Sequence, residues 1–187
     1  MNTTRRSLFA GAAACLGAIT VPAPAAWAAS ARQLNQEADQ ALRTLYASHP
    51  KARELAKNAK AILIFPKIVK AGLLIGGQGG DGVLREGGKS AGYYNISAAS
   101  FGLQAGVQRF SYAMFFMTEA SLKYLKDSDG WSIGSGPSVV VMDKGKAASM
   151  TSTTLTQDVY AFPFGQSGLM AGLGLEGSKI TRIHPGA

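Results

Sequence analysis

Apolar positions recur with two different periods along the chain, first every three to four residues and later every second residue. Behind a Ser30-x-x-Gln33 capping pattern, apolar residues at helical spacing predict an amphipathic helix over Ala31–Ser48. A His-Pro pair ends this helix. A second, short helix is expected over Lys51–Asn58, because proline is well placed at the start of a helix.

From residue 61 onward the pattern changes to strands that are interrupted by glycine. The run Ala61–Phe65 predicts a buried strand that ends at Pro66, and Thr118–Lys126 predicts a short helix. The other predicted strands are 71–77, 82–86, 91–96, 100–109, 112–117, 138–142, 147–152, 158–163, 169–175 and 178–183. This order indicates an α+β fold, in which N-terminal helices pack on a strongly coiled, mostly antiparallel, Gly-rich sheet or partial barrel.

Three apolar segments share the form G-L-x-x-G. They are residues 72–76, 102–106 and 168–172. Glycine inside a strand marks a bulge, a bend or the close approach of another backbone. We therefore expect Gly76, Gly106 and Gly172 to admit a neighbouring backbone or a bulky side chain, which is the reason to expect strong coiling.

The stretch LLIGGQGGDGVLR, residues 73–85, contains the G-x-G-x-x-G spacing of a dinucleotide-binding loop. That loop requires a helix directly after the glycines and an acidic residue about 20 positions later. Two further glycines follow the stretch almost at once, and no Asp or Glu lies between Glu86 and Glu119. The stretch is therefore predicted as glycine-rich strands joined by a tight turn at residues 79–82, and no nucleotide is expected as a partner.

The first 28 residues have the features of an export signal. Residues 4–7, Thr-Arg-Arg-Ser, match a twin-arginine pattern, and an Ala-Trp-Ala cleavage site ends at Ala28. The apolar run between them is too short to span a bilayer comfortably. We predict that residues 1–28 are a twin-arginine-type signal peptide cleaved near Ala28, and that residues 29–187 form a single periplasmic domain, peripheral on a membrane or free of it.

Few side chains could support catalysis or metal binding. The single cysteine, Cys15, lies in the predicted signal behind three alanines that faintly resemble a lipoprotein cleavage box, so its lipidation stays an alternative. His49 and His184 have no second ligand at a spacing that metal sites use. The dispersed acids that could still meet in space are Asp143, Asp158 and Glu176. We predict no catalytic residue, no metal and no cofactor, with a hydrolase built from these acids as a distant alternative.

Positive charge is concentrated in residues 51–70, which contain six Lys or Arg and one Glu. The rest of residues 29–187 has eleven basic and ten acidic side chains. A local cluster on a balanced chain indicates an anionic partner, although a solvated helix face would look the same. Nucleic acid is not expected, because no aromatic residue lies between Tyr46 and Phe65 to stack on bases. The candidate lipid-binding residues are Lys51, Arg53, Lys57, Lys60, Lys67 and Lys70.

The chain resembles the SYLF lipid-binding domain, also described as the actin-patch domain of yeast proteins, from about Ala31 to Ile183. The segments that carry the resemblance are residues 59–84, 100–108, 111–117 and 159–178. The resemblance implies a helix-flanked β fold and a non-enzymatic domain that binds phospholipid through a basic N-terminal segment, which by position corresponds to the six candidates. We predict binding to anionic phospholipid or a membrane surface in the cell envelope, with the protein partner unknown. The alternative is a structural or protein-interaction domain of the periplasm without lipid function.

Overall fold

The computed structural model describes residues 30–72, 75–101, 106–142, 156–167, 175 and 177–186. Within these residues, two helices precede four strands, and a third helix separates those strands from four more. The elements are α1 (Ala31–Ser48), α2 (Pro50–Ala56), β1 (Ala61–Gly72), β2 (Ile75–Glu86), β3 (Lys89–Phe101), β4 (Gly106–Phe116), α3 (Glu119–Asp127), β5 (Trp131–Ser132), β6 (Val139–Val141), β7 (Val159–Ser167) and β8 (Lys179–Ile183).

The helices follow the sequence signals closely. The side chain of Ser30 caps α1 by accepting a hydrogen bond from the backbone N–H of Gln33, at 3.2 Å. Four residues of α1 at helical spacing are buried: Leu34, Ala38, Ala41 and Leu45. The predicted helix over 31–48 is confirmed, and α2 begins at Pro50 and ends two residues before the predicted Asn58.

All eight strands of the described chain join one sheet, in the order β5-β8-β3-β2-β1-β4-β7-β6. Each neighbouring pair is antiparallel except β6 and β7, which are parallel. The predicted α+β class with a mostly antiparallel, glycine-rich sheet is therefore confirmed.

Both faces of the central strands are apolar, and each face has its own cover. Along β1, Leu63 and Phe65 point to one face, which we call the inner face, where α3 and Trp131 pack. Ile64 points to the outer face, which α1 and α2 cover. Fully burying one such side chain stabilises the fold by about 1.5–3 kcal/mol, so both layers contribute to the core.

The chain path shows that the sheet is strongly curled. The edge strands β5 and β6 are joined by residues 133–138 alone, which span at most about 25 Å. Eight strands laid flat would separate these edges by about 34 Å. The loop also contacts both sides, because the N–H of Ile133 donates to the carbonyl of Ser178 and the N–H of Ser138 donates to Asp158. The sheet is therefore a partial barrel whose edges one short loop brings together.

Several strands are longer than predicted, because expected breaks do not occur. Pro66 does not end the first strand: β1 gains one extra residue at Pro66–Lys67 relative to both of its neighbours, which is a β-bulge. A bulge tolerates a proline, which has no N–H to give to the ladder. The Pro66 carbonyl accepts a hydrogen bond of 2.7 Å from the hydroxyl of Ser111.

The predicted tight turn at residues 79–82 is wrong, since these residues lie inside β2. The chain turns instead at Gly87 and Gly88, whose φ angles are 55° and 81°. Likewise, the break predicted at 97–99 lies within β3, and the break predicted at 110–111 lies within β4. Strands were predicted at 147–152 and 169–175; the first range and most of the second lie outside the described residues.

Close backbone approach does occur at two glycines of β2, but not at Gly106, which was expected to provide it. A Cβ at Gly82 would lie 2.5 Å from the Phe65 ring and 2.6 Å from a backbone carbonyl of β1, and Gly80 is similarly crowded. Gly106 has no atom within 4 Å of such a Cβ, and its φ of 152° is the feature that favours glycine. Gly72 does align with Gly76 and Gly106 on its two sides. Gly172 lies outside the described residues.

Candidate functional site

Two of the six candidate cations project from the outward side of α2. Ala52 and Leu55 anchor this helix in the core, while Arg53 and Lys57 are exposed on the side away from it. The Arg53 guanidinium lies 5.6 Å from the centre of the Tyr46 ring, a cation–π distance. Burial raises the pKa of Tyr46, and the nearby Arg53 charge partly opposes that rise.

Two further candidates flank this helix and are paired with carboxylates. Lys51 lies 3.2 Å from Glu54, and Lys60 lies 3.5 Å from Glu119 at the start of α3. Pairs this exposed contribute little to stability, so they leave the cations accessible to a stronger anionic partner. We call Lys51, Arg53, Lys57 and Lys60 the α2 cations.

The remaining two candidates lie away from the α2 cations. Since β1 continues through Pro66 without folding back, Lys67 is separated from Lys60 by roughly 20 Å of strand. Strand alternation also separates the pair from each other: Lys67 lies on the outer face with Val69, whereas Lys70 shares the inner face with Ile68. The structure therefore does not assemble the six candidates into one patch.

Arg109 of β4 is a cation that sequence reasoning overlooked. It pairs in register with Val69 of β1, which places it beside Lys67 on the outer face. Both side chains are exposed, and neither forms an ion pair or a hydrogen bond within the part of the chain that the structure describes. Only the register of β1 against β4 brings them together. The VQRF stretch carried no usable signal, because its apolar Val107 is exposed while its polar Gln108 is buried.

A cleft lies between α1 and the bulge of β1, next to these two cations. It consists of two adjacent cavities, of about 590 and 370 Å³, that share Glu37, Pro66 and Lys67. The larger cavity continues over β2 beside Gly79, and the smaller one reaches Arg109 on β4. Together they have the size of a ligand pocket. We call this space the α1–β1 cleft.

A polar network holds α1, which forms one wall of the cleft, against the sheet. Arg85 of β2 donates a hydrogen bond of 2.6 Å to the carboxylate of Asp39 in α1 and another of 3.2 Å to the backbone carbonyl of Asn35. The Asn35 side chain in turn donates to the Tyr93 hydroxyl, at 2.9 Å. Because the Arg85 side chain is largely buried, this bond should fix the position of α1 more firmly than a surface pair would.

Asp158, considered for catalysis, and His49, considered for metal binding, both make contacts within the fold. Asp158 accepts hydrogen bonds from the backbone N–H and hydroxyl of Ser138 and from the hydroxyl of Thr118, and these bonds lower its pKa. His49 is buried against the Phe162 ring. Asp143 and Glu176 lie outside the described residues.

The described residues contain no group of three or more His, Cys, Asp or Glu side chains that could hold a metal ion. None of the helices in the same residues has the length and apolar character needed to cross a bilayer.

Comparison with known proteins identifies part of the chain. Residues 97–184 match the Ysc84 family, described as Las17-binding protein actin regulator, which confirms the resemblance to SYLF domains. No curated protein matches the chain. The matched segment runs from β3 to the end of β8, so it includes Arg109 but not α1, α2 or the six candidate cations.

Proposed function

Residues 97–184 match the Ysc84 family of binding domains, and on that premise we propose that this protein is an exported, non-enzymatic domain that binds anionic phospholipid at a membrane surface. The observation that carries the proposal is the position of Arg53 and Lys57 on the outward side of α2. Residues 51–60 contain four basic side chains and one Glu, so these two cations stand in a locally basic segment.

The proposed mechanism is electrostatic attraction to a negatively charged lipid surface. A basic residue near such a surface contributes about 1 kcal/mol. Because α2 is short and anchored by Ala52 and Leu55, the cations can meet lipid headgroups without unfolding the domain. Attraction of this kind weakens with salt, because the screening length is only about 8 Å at physiological ionic strength.

Vesicle sedimentation tests the proposal directly. The protein without its predicted signal peptide, residues 29–187, which we call the mature protein, is mixed with vesicles of phosphatidylcholine alone or of phosphatidylcholine with phosphatidylglycerol, at low and at physiological salt. The double variant Arg53→Glu, Lys57→Glu removes two attractions and adds two repulsions, so its binding to anionic vesicles should fall at least about tenfold, which corresponds to about 1.4 kcal/mol. The matched control is Lys89→Glu, Lys179→Glu, which changes the net charge equally at two exposed positions on β3 and β8.

The control separates a local surface from overall charge. If both double variants lose binding equally, net charge explains the attraction and the α2 surface is wrong. If the α2 variant stays folded and binds like wild type, the electrostatic mechanism fails. Adding Lys60→Glu, Lys67→Glu and Lys70→Glu singly to the α2 variant then measures whether the other candidates contribute.

The description of the matched family favours a second function, protein binding. It names Las17 binding and actin regulation for members of that family and does not name lipid. On this alternative the domain would hold a protein partner in the cell envelope, and its cations would serve solubility. Wild-type protein that binds neither vesicle type at low salt would support this alternative over the lipid proposal.

A further inference from the structure

The bulge of β1 creates the α1–β1 cleft. An extra residue at Pro66–Lys67 bends the central strand, while β7 carries a second extra residue beside Ser111 of β4, near Gly165. Bulges bend a strand and redirect its side chains. The two irregularities lie next to each other across β4, where α1 crosses the sheet, so a gap remains under the helix.

Absent side chains keep the larger cavity open. Gly79 of β2 lies on the outer face and lines this cavity. A Cβ there would meet only the carbonyl oxygen of Ile96, at 3.6 Å, which is ordinary contact. A side chain at this position would therefore project into the cavity and would not collide with the sheet. The apolar part of the lining comes from Leu34, Pro66 and Val69.

The charges around the cleft are unevenly satisfied. In the larger cavity, Glu37 accepts a hydrogen bond of 2.9 Å from Gln33, and Asp81 accepts one of 2.8 Å from Asn95. The two carboxylates are thus hydrogen-bonded to neutral amides, whereas Lys67, which borders both cavities, and Arg109, which borders the smaller one, have no partner among the described residues. The cleft offers a partly apolar space next to these two cations.

We infer that the α1–β1 cleft holds one acyl chain of an anionic phospholipid, with the headgroup between Lys67 and Arg109 and the chain in the larger cavity beside Gly79. This inference rests on the proposed lipid function and specifies a second site for it, in an open cleft. The charge pattern selects the occupant: a neutral apolar ligand would leave both cations unpaired, and a free anion would leave the apolar space unfilled.

Binding of a single-chain lipid tests the cleft without a membrane. The probe is fluorescent-chain lysophosphatidylglycerol below its micelle concentration, titrated with the mature protein. Lysophosphatidylcholine with the same chain and glycerol phosphate without a chain serve as comparisons. We expect saturable binding at one site, at least about tenfold weaker binding of the zwitterionic lipid, and no detectable binding of the headgroup alone.

Two kinds of variant locate the site. Gly79→Phe should fill the cavity and weaken lysophosphatidylglycerol binding at least about tenfold. The matched control is Gly77→Phe, which adds the same side chain two residues away on the same strand face. Gly77 lines neither cavity of the cleft. The double variant Lys67→Gln, Arg109→Gln changes two exposed side chains and should weaken binding of the anionic lipid but not of the zwitterionic one. It tests the site even if Gly79→Phe does not fold.

The outcomes distinguish this inference from the proposed function. Wild-type protein that binds anionic vesicles but not lysophosphatidylglycerol overturns the cleft alone. A folded Gly79→Phe protein that binds the probe like wild type also overturns it, as does equal loss in the Gly77→Phe control. Protein that binds neither vesicles nor the probe overturns both the cleft and the lipid function.

Discussion

Gly79 and Gly80 are neighbours on β2, yet the same substitution should change stability in opposite directions at the two positions. A Cβ at Gly80 would lie closer than 3.0 Å to the Lys67 carbonyl oxygen and 3.1 Å from Cα of Ile68. These are backbone atoms of the central strand at its bulge, so they cannot rotate away as a side chain could. A Cβ at Gly79 meets no atom closer than 3.6 Å.

The magnitudes follow from these surroundings. Overpacking by one methyl group against a fixed backbone costs about 1–3 kcal/mol, so Gly80→Ala should lower the free energy of unfolding by that amount. Neither glycine has the positive φ that would strain an alanine. Gly79→Ala should therefore raise the free energy of unfolding by about 0.4–1 kcal/mol, because alanine restricts the unfolded chain.

Urea and thermal unfolding of the mature protein, followed by circular dichroism, measure both effects. For a domain of this size, 1 kcal/mol moves Tm by about 2–4 °C. Gly80→Ala should therefore melt about 2–12 °C below wild type, and Gly79→Ala about 1–4 °C above it. Equal m-values in urea would show that the unfolded state is comparable among the three proteins.

One result would refute the reasoning. If Gly80→Ala is as stable as Gly79→Ala, the backbone of β1 does not approach β2 as closely as the structure shows. The glycines of the G-x-G-x-x-G spacing would then need another explanation, and nucleotide binding, tested by a Tm shift with added dinucleotide, would be considered again.

Three further predictions concern other parts of the chain. Gly106→Val and Gly106→Ala should destabilise the fold alike, by about 1–3 kcal/mol, because the cost comes from φ and not from volume; a clearly worse valine in urea unfolding would contradict this. Asp158→Asn should destabilise the protein at neutral pH, and the difference should shrink as the pH falls below 3.8, because hydrogen bonds from Ser138 lower the folded-state pKa; a difference that is constant down to acid pH would exclude this cause. Arg5→Lys with Arg6→Lys should leave uncleaved precursor in the cytoplasm, detected by fractionation, and normal export would exclude the twin-arginine route.

Local signals made the helices predictable. The cap of α1 lies three residues from its partner, Ser30 to Gln33, and α3 repeats this pattern with the Thr118 hydroxyl accepting from the N–H of Ser121, at 3.1 Å. Each signal is complete within one turn of helix, so it acts in the same way in any tertiary context. The fold class followed from the change of period after residue 60.

Strand boundaries were less predictable, because neighbouring strands decide them. Proline normally ends a strand, but the carbonyl of Pro66 is satisfied by Ser111, which lies 45 residues away, and both adjacent strands accept the bulge. The glycines of β2 resemble a turn in the sequence. In the structure they give room to β1 instead.

The candidate site was predicted only in part, for the same reason. Composition identifies residues 51–70 as basic, yet it cannot show that a continuous β1 separates Lys60 from Lys67. Arg109 lies outside that segment, and only the pairing of Val69 with Arg109 places it at the cleft. A charge count along the chain therefore locates a basic segment, whereas the grouping of its charges depends on strand register.

The two proposed lipid sites should respond differently to salt. Arg53 and Lys57 stand on an open helix surface, where ions screen their attraction to a membrane. Lys67 and Arg109 border a partly apolar cleft, and a lipid bound there would also be held by burial of its acyl chain, which salt does not weaken. Vesicle binding should therefore fall steeply between low and physiological salt, while lysophosphatidylglycerol binding falls much less. Equal salt dependence of the two would mean that both assays measure the same exposed cations, and the cleft would lose its support as a separate site.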